Sequence, residues 1–255
     1  MKRDYTFDVE KVTGDCIQWI KDWFEKNGPG CNAVIGISGG KDSTIVTKLC
    51  AEALGADRVI GVMMPNGIQK DISDSQRVCE FLGIKNYTIN IEDAVNSTLN
   101  QMKECGIEIS EQTRTNLPAR IRMSTLYAVS QSNNGRVSNN CNKSEDTMGY
   151  STRYGDAAGD FSPLSELTTV EIIAIGDYLG LPYDLVHKTP IDGLNTNTDG
   201  SYVTDEQSMG VSYDDIHKYV RMRNELSQET INYISGREKK NLFKLQLMPK
   251  FNPNL

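Results

Sequence analysis

A chain of 255 residues is long enough to bury the core of one α/β domain, and a content of 38% hydrophobic and 24% charged residues excludes a disordered class. A formal net charge of −7, with a pI near 5.0, argues against a dedicated nucleic-acid surface, which needs clustered Lys and Arg. No apolar run reaches transmembrane length and Met1-Lys2-Arg3-Asp4-Tyr5 lacks a signal-peptide core, so the expectation is a cytoplasmic protein with no membrane partner.

Residues 8–26 carry Val9, Val12, Cys16, Ile20 and Trp23 near helical spacing, which predicts a packing helix ended by Asn27-Gly28-Pro29-Gly30. Ala33-Val34-Ile35-Gly36-Ile37 reads as a strand buried on both faces. Thr44-Ile45-Val46-Thr47-Lys48-Leu49 opens a helix that stops at Gly55. Between strand and helix lies Ser38-Gly39-Gly40-Lys41-Asp42-Ser43, a tight glycine turn at a helix N-terminus. There, unpaired N–H groups and the helix dipole converge on an anion, most often a phosphate. A Walker A loop would place Ser or Thr after the lysine, whereas this chain places the carboxylate of Asp42 there. A carboxylate beside phosphate oxygens repels them unless a divalent cation intervenes. Asp42 therefore reads as a Mg2+ ligand, with Lys41 as a point charge on the phosphates.

Residues 58–64 predict a second parallel strand, Pro65-Asn66-Gly67 a turn, residues 73–82 a helix and residues 86–91 a third strand. That rhythm implies a doubly wound parallel sheet with right-handed crossovers and a ligand at the carboxyl ends of its strands, where the glycine turn sits. Helices over 92–103 and 117–132 follow, the second carrying Arg120 and Arg122, and then a short strand over 136–139. Residues 144–160, rich in Gly, Asp and hydroxyls, predict a loop wrapped around a polar ligand. Within it Glu145 is either a second Mg2+ carboxylate or a helix-cap acid, and Arg153 either pairs with a phosphate or carboxylate or is a surface charge. Thr168-Thr169-Val170-Glu171 matches a capping box for a helix reaching Leu179. Residues 188–212 read as a mobile lid, and helices over 213–222 and 227–240 close the chain. Six cysteines without a CxxC pair read as free thiols. The two histidines, His187 and His217, read as surface helix residues, which leaves catalysis to metal ions, Lys, Arg and backbone donors.

The loop Ser38-Gly39-Gly40-Lys41-Asp42-Ser43 resembles the SGGxDS loop of the N-type ATP pyrophosphatases, which cleave ATP between the α- and β-phosphates to adenylate an oxygen of the substrate. Four further segments resemble the ammonia-dependent NAD synthetases, in the same order along the chain. These are Leu117-Pro118-Ala119-Arg120-Ile121-Arg122-Met123, Ser144-Glu145, Ser151-Thr152-Arg153-Tyr154-Gly155-Asp156 and Lys188-Thr189-Pro190.

The resemblance implies a Rossmann-like, adenine nucleotide alpha hydrolase-like fold, in a homodimer that binds the dinucleotide across its interface. It implies ATP as co-substrate, held by Gly36, Ile37, Ser38, Gly39, Gly40, Lys41, Asp42 and Ser43, with Mg2+ on Asp42 and Glu145. It also implies deamido-NAD on Arg120, Arg153 and Asp160, with Lys244 closing over it, and ammonia as the second substrate. Met63, Asn140, Ile191 and Phe243 stand where many members carry Arg, Thr, Thr and His. A single synthetase domain spanning residues 1–255 leaves no room for a glutaminase domain, so free ammonia is the expected nitrogen source, with a separate glutaminase partner left open. The alternatives are another SGGxDS-loop enzyme, such as a GMP-synthetase-like ligase, or a non-catalytic nucleotide-binding paralogue.

Overall fold

The structure, a computed structural model, describes residues 5–69, 72–196 and 202–253, with the side chains of 192–196 and 202 outside the description. The chain opens with α1 (Val9–Asn27), capped by the Asp8 carboxylate on the Lys11 amide, and enters β1 (Asn32–Gly36). It continues through α2 (Lys41–Leu54), β2 (Val59–Met63), α3 (Ile72–Leu82) and β3 (Lys85–Thr88). Two helices, α4 (Glu92–Glu104) and α5 (Glu111–Ser132), then lead to β4 (Gly135–Val137).

These four strands form one parallel sheet in the order β3-β2-β1-β4, as the alternation of strand and helix patterns requires. In register, Ile35 lies beside Gly61, and Val34 faces Ile60 on one side and Val137 on the other. Alternation along β1 feeds two cores: Ala33 and Ile35 pack towards α1, α2 and α7 (Thr169–Tyr178), while Val34 packs towards Val95, Met123 and Leu126 of α4 and α5. Ile45, Val46, Leu49 and Cys50 of α2 are fully buried in the first of these cores, which fixes the axis of the helix and so the aim of its N-terminus. After β3 the chain crosses to the opposite edge. The switch point therefore falls between β1 and β4, and the segments leaving both strands meet there.

The third expected strand is shorter than residues 86–91. Pairing ends at Thr88, although the amides of Ile89 and Ile91 still donate to the carbonyls of Met63 and Pro65. The helix expected from residue 117 starts at Glu111, because the Ser110 side chain accepts from the Thr113 amide and caps it. Pro118 is carried inside that helix.

Beyond β4 lie α6 (Lys143–Met148), α7, α8 (Tyr183–Val186), the antiparallel pair β5 (Ile191–Thr196) and β6 (Tyr202–Thr204), α9 (Asp205–Met209), α10 (Tyr213–Arg221) and α11 (Gln228–Asn241). The stretch expected to be an irregular lid thus contains a strand pair and a helix, and its polar tip at Asp199-Gly200 lies outside the described residues. Met148, Met209, Tyr213, Ile216, Tyr219 and Ile234 form a separate small core that joins α9, α10 and α11 to α6.

His217 departs from the sequence expectation. It is buried, its Nδ1 lies 2.7 Å from the Thr168 hydroxyl, and burial holds its imidazole below the ordinary range. Helical patterning around a lone His gave no sign that its face was covered by the N-terminus of α7. All six cysteines are free: Cys31, Cys50, Cys79 and Cys141 are buried, Cys16 is half-buried and Cys105 is exposed.

Candidate active site

The glycine loop lies where β1 ends. Ile37 is buried and its amide still donates to the Val62 carbonyl, so the chain leaves the sheet only at Ser38. The Ser43 hydroxyl then receives the Ser38 amide at 3.3 Å and sits 3.1 Å from the Ser38 hydroxyl, which closes the turn on itself. The helix begins at Lys41, three residues before the expected Thr44, so Lys41, Asp42 and Ser43 make up its first turn. Gly40 caps it without a side chain, which leaves the first amides of α2 directed at the cleft.

Gly39 is the residue that makes this geometry possible. Its φ is +77°, and a Cβ there would stand 3.0 Å from both the Asp74 Cβ and the Ser75 amide nitrogen of α3. Gly39→Ala is expected to cost about 1–3 kcal/mol in strain and displacement of α3. The expected readout is a weaker affinity for ATP in a fluorescence titration, together with a lower thermal midpoint. An unaltered ATP affinity would show that the turn does not hold the nucleotide.

Lys41 does not extend freely from the loop. Its side chain is 4% exposed, its Nζ lies 2.9 Å from Asp42 Oδ2, and it stands over the Tyr213 ring at 5.3 Å. Burial opposes its charge, yet Asp42, Glu145 and Asp205 outweigh that cost and hold the ammonium above the ordinary lysine range. Asp205 in turn accepts from the Tyr213 and Tyr150 hydroxyls at 3.1 and 3.3 Å.

Glu145 reaches the same cleft from β4. The helix-cap reading of it holds, since it is the third residue of α6, and its carboxylate accepts the Asn142 amide in a capping box. Its carboxyl is raised well above the ordinary range, first by burial and next by the negative charge of Asp42. A buried carboxyl raised by the charge of a second carboxylate fits a hard divalent cation, which would relieve the penalty on Glu145. Among the described residues no three His, Cys, Asp or Glu side chains converge as a metal site. Coordination beyond Asp42 and Glu145 would thus come from phosphate and water oxygens, the usual arrangement for Mg2+ on a nucleotide.

Three of the four residues expected at deamido-NAD gather at the loop after α6. Arg120 Nε donates to the Arg153 carbonyl at 3.3 Å, and the Arg153 guanidinium lies 4.9 Å from the Tyr154 ring and 5.5 Å from the Phe243 ring. Lys244 Nζ donates to the carbonyls of Gly149 and Ser151 at 2.7 and 3.0 Å. Arg153 Nε and Ser151 Oγ are buried there with no partner among the described residues. Asp160 stands apart from that group, at β4, where its carboxylate accepts the Val137 amide at 2.8 Å and the Tyr127 hydroxyl at 3.2 Å.

A family model described as NAD synthase matches residues 12–250. The chain belongs to the NAD synthase family. Among its relatives, an NH(3)-dependent NAD(+) synthetase from Methanosarcina acetivorans is 34% identical over 95% of this chain and 98% of its own. One of the same description from Thermococcus sibiricus is 36% identical over 82% of this chain and 78% of its own. Among solved structures, an NMN synthetase from Francisella tularensis superposes with a TM-score of 0.85 at 29% identity, covering 98% of this chain and 100% of that one.

In this NAD synthase-family chain, sequence reasoning missed Asn142, Asp205 and Tyr213, which surround Asp42 and Lys41 of the glycine loop. Only Asn142 carried a local signal, the Asn-x-x-Glu spacing of a capping box. The others come from distant elements, and only packing of the C-terminal layer brings them to Lys41.

Proposed function

We propose that the chain joins ammonia to the nicotinate carboxylate of deamido-NAD, consuming ATP and releasing AMP and pyrophosphate. Membership of the NAD synthase family carries this reading, and the glycine turn beside the Asp42 and Glu145 carboxylates supports it. A carboxylate resists ammonia because oxide would have to leave. Its oxygen first attacks the α-phosphorus of ATP, pyrophosphate departs, and ammonia then displaces AMP from the mixed anhydride.

The amides at the start of α2, with the Ser38 and Ser43 hydroxyls, are suited to hold phosphate oxygens in line. Asp42 and Glu145 would hold Mg2+, which when bound supplies positive charge to the departing pyrophosphate. Lys41 keeps a permanent positive charge beside that position. Arg120, Arg153 and Lys244 place cationic groups for the dinucleotide phosphates, and the unpartnered Arg153 Nε and Ser151 Oγ are donors that such a ligand can occupy. The rest of the reading is a homodimer sharing the dinucleotide site, a single synthetase domain using free ammonia, and a cytoplasmic location. No described helix is long and apolar enough to cross a membrane.

The test is to mix protein, Mg-ATP, ammonium and deamido-NAD and to measure NAD and AMP, which are expected in equal amounts. Glutamine supporting turnover as well as ammonium would overturn the nitrogen source. Pyrophosphate release dependent on xanthosine monophosphate, and not on deamido-NAD, would favour the GMP-synthetase-like alternative. The likeness to an NMN synthetase motivates a second acceptor, nicotinate mononucleotide, in a parallel assay. A higher kcat/KM for the mononucleotide would reassign the substrate while leaving the chemistry intact.

A further inference from the structure

Asn142 is fully buried between the two segments that supply the carboxylates. Its Oδ1 accepts the amides of Ser144 and Glu145 at 2.9 and 3.1 Å, and the Thr169 hydroxyl approaches the same atom at 3.4 Å. Its backbone amide donates to Glu145 Oε2 at 3.1 Å, and its Nδ2 donates to Asp42 Oδ1 at 3.0 Å. We propose that Asn142 is a positioning residue that sets the separation and orientation of the Asp42 and Glu145 carboxylates for the metal–nucleotide complex.

The chemistry of the amide makes this assignment specific. Turning the group over would aim its NH2 at two backbone N–H groups, so the acceptor end is committed to α6 and the donor end must face Asp42. Asp42 and Glu145 repel one another, and each would swing apart if nothing held it. Asn142 holds one carboxylate by its side chain and the other by its backbone, and it adds no third negative charge. A residue serving only as a helix cap would need an acceptor and nothing more. The donor aimed at Asp42 is the additional feature, because neutral groups that orient metal carboxylates change metal affinity without touching the metal.

The inference rests on the reading of Asp42 and Glu145 as metal carboxylates, and its test separates the two. Mn2+ binding is measured by electron paramagnetic resonance with α,β-methylene-ATP, in the wild type and in Asn142→Thr. Thr keeps a cap oxygen and loses the amide donor. The expected result is about tenfold weaker Mn2+ binding, with the thermal midpoint within ~3 °C of wild type because the cap survives. If Asn142→Thr fails to fold, Asn142→Ser, which also retains a cap hydroxyl, gives the same reading. Equal Mn2+ affinity in wild type and a folded variant would overturn the inference alone. No Mn2+ binding by the wild type would overturn the metal reading and this inference with it.

Discussion

Replacing Asp42 by Asn is expected to slow AMP formation by about 10³-fold, the equivalent of about 4 kcal/mol of transition-state stabilisation. The substitution keeps the shape of the side chain and an oxygen for the Asn142 donor, but removes the charge that would share a cation with Glu145. Two consequences for stability oppose one another. Lys41 loses its nearest counter-ion, while Glu145 loses a repelling neighbour. The thermal midpoint is therefore expected to move little, which makes the activity loss interpretable. Initial rates of AMP release at saturating Mg-ATP, ammonium and deamido-NAD provide the measurement. Turnover within tenfold of wild type would remove Asp42 from the metal position.

Arg221→Met is expected to be the most damaging single change to stability. Glu171 is 2% exposed and accepts two hydrogen bonds from Arg221, at 2.7 and 2.8 Å, and one from the Tyr5 hydroxyl at 2.6 Å. Arg221 also donates to the Glu166 carbonyl at 2.6 Å, and Glu171 receives the Thr168 amide at 2.7 Å. Removing the guanidinium strands a buried carboxylate, at a cost of about 3–5 kcal/mol or roughly 10 °C in a chain of this size.

The pH dependence follows from direction. Burial raises the Glu171 carboxyl, but Arg221, Tyr5 and Thr168 outweigh it and leave it below the ordinary value of 4.5. Its stabilising contribution is thus present above that value and is lost as pH falls through the lower, native one. In the variant the stranded carboxylate is raised instead, so its destabilising effect grows with pH. The gap between the two melting curves should be widest at neutral pH and narrow on acidification. A gap under ~2 °C at neutral pH would show that the ion pair contributes little.

The parts of the molecule that obey local rules could be read from the residues alone. Ala33, Val34 and Ile35 form an unbroken apolar run because β1 is covered on both faces, and Gly39 is a glycine because its φ is positive and α3 leaves no room for a Cβ. The start of α2 lies three residues before the one its apolar pattern indicates, because Lys41 and Asp42 have the character of loop residues while their side chains pair with one another in the first turn. Leu117-Pro118 hid the first half of α5, since a proline is expected to open a helix or break it, and here Ser110 opens it earlier. The association of Asp205, Tyr213 and Lys41 left no trace in any window of sequence. It is a product of tertiary packing that brings α9 and α10 over the start of α2.

The thiol distribution has a practical use. Cys105 ends α4 in solvent, whereas burial pushes the Cys16 and Cys79 thiols up to about 11 and raises the Cys50 and Cys141 thiols well above the ordinary range. A maleimide fluorophore added to the native protein should therefore attach at one place, giving a spectroscopic reporter without first stripping the other cysteines from the chain.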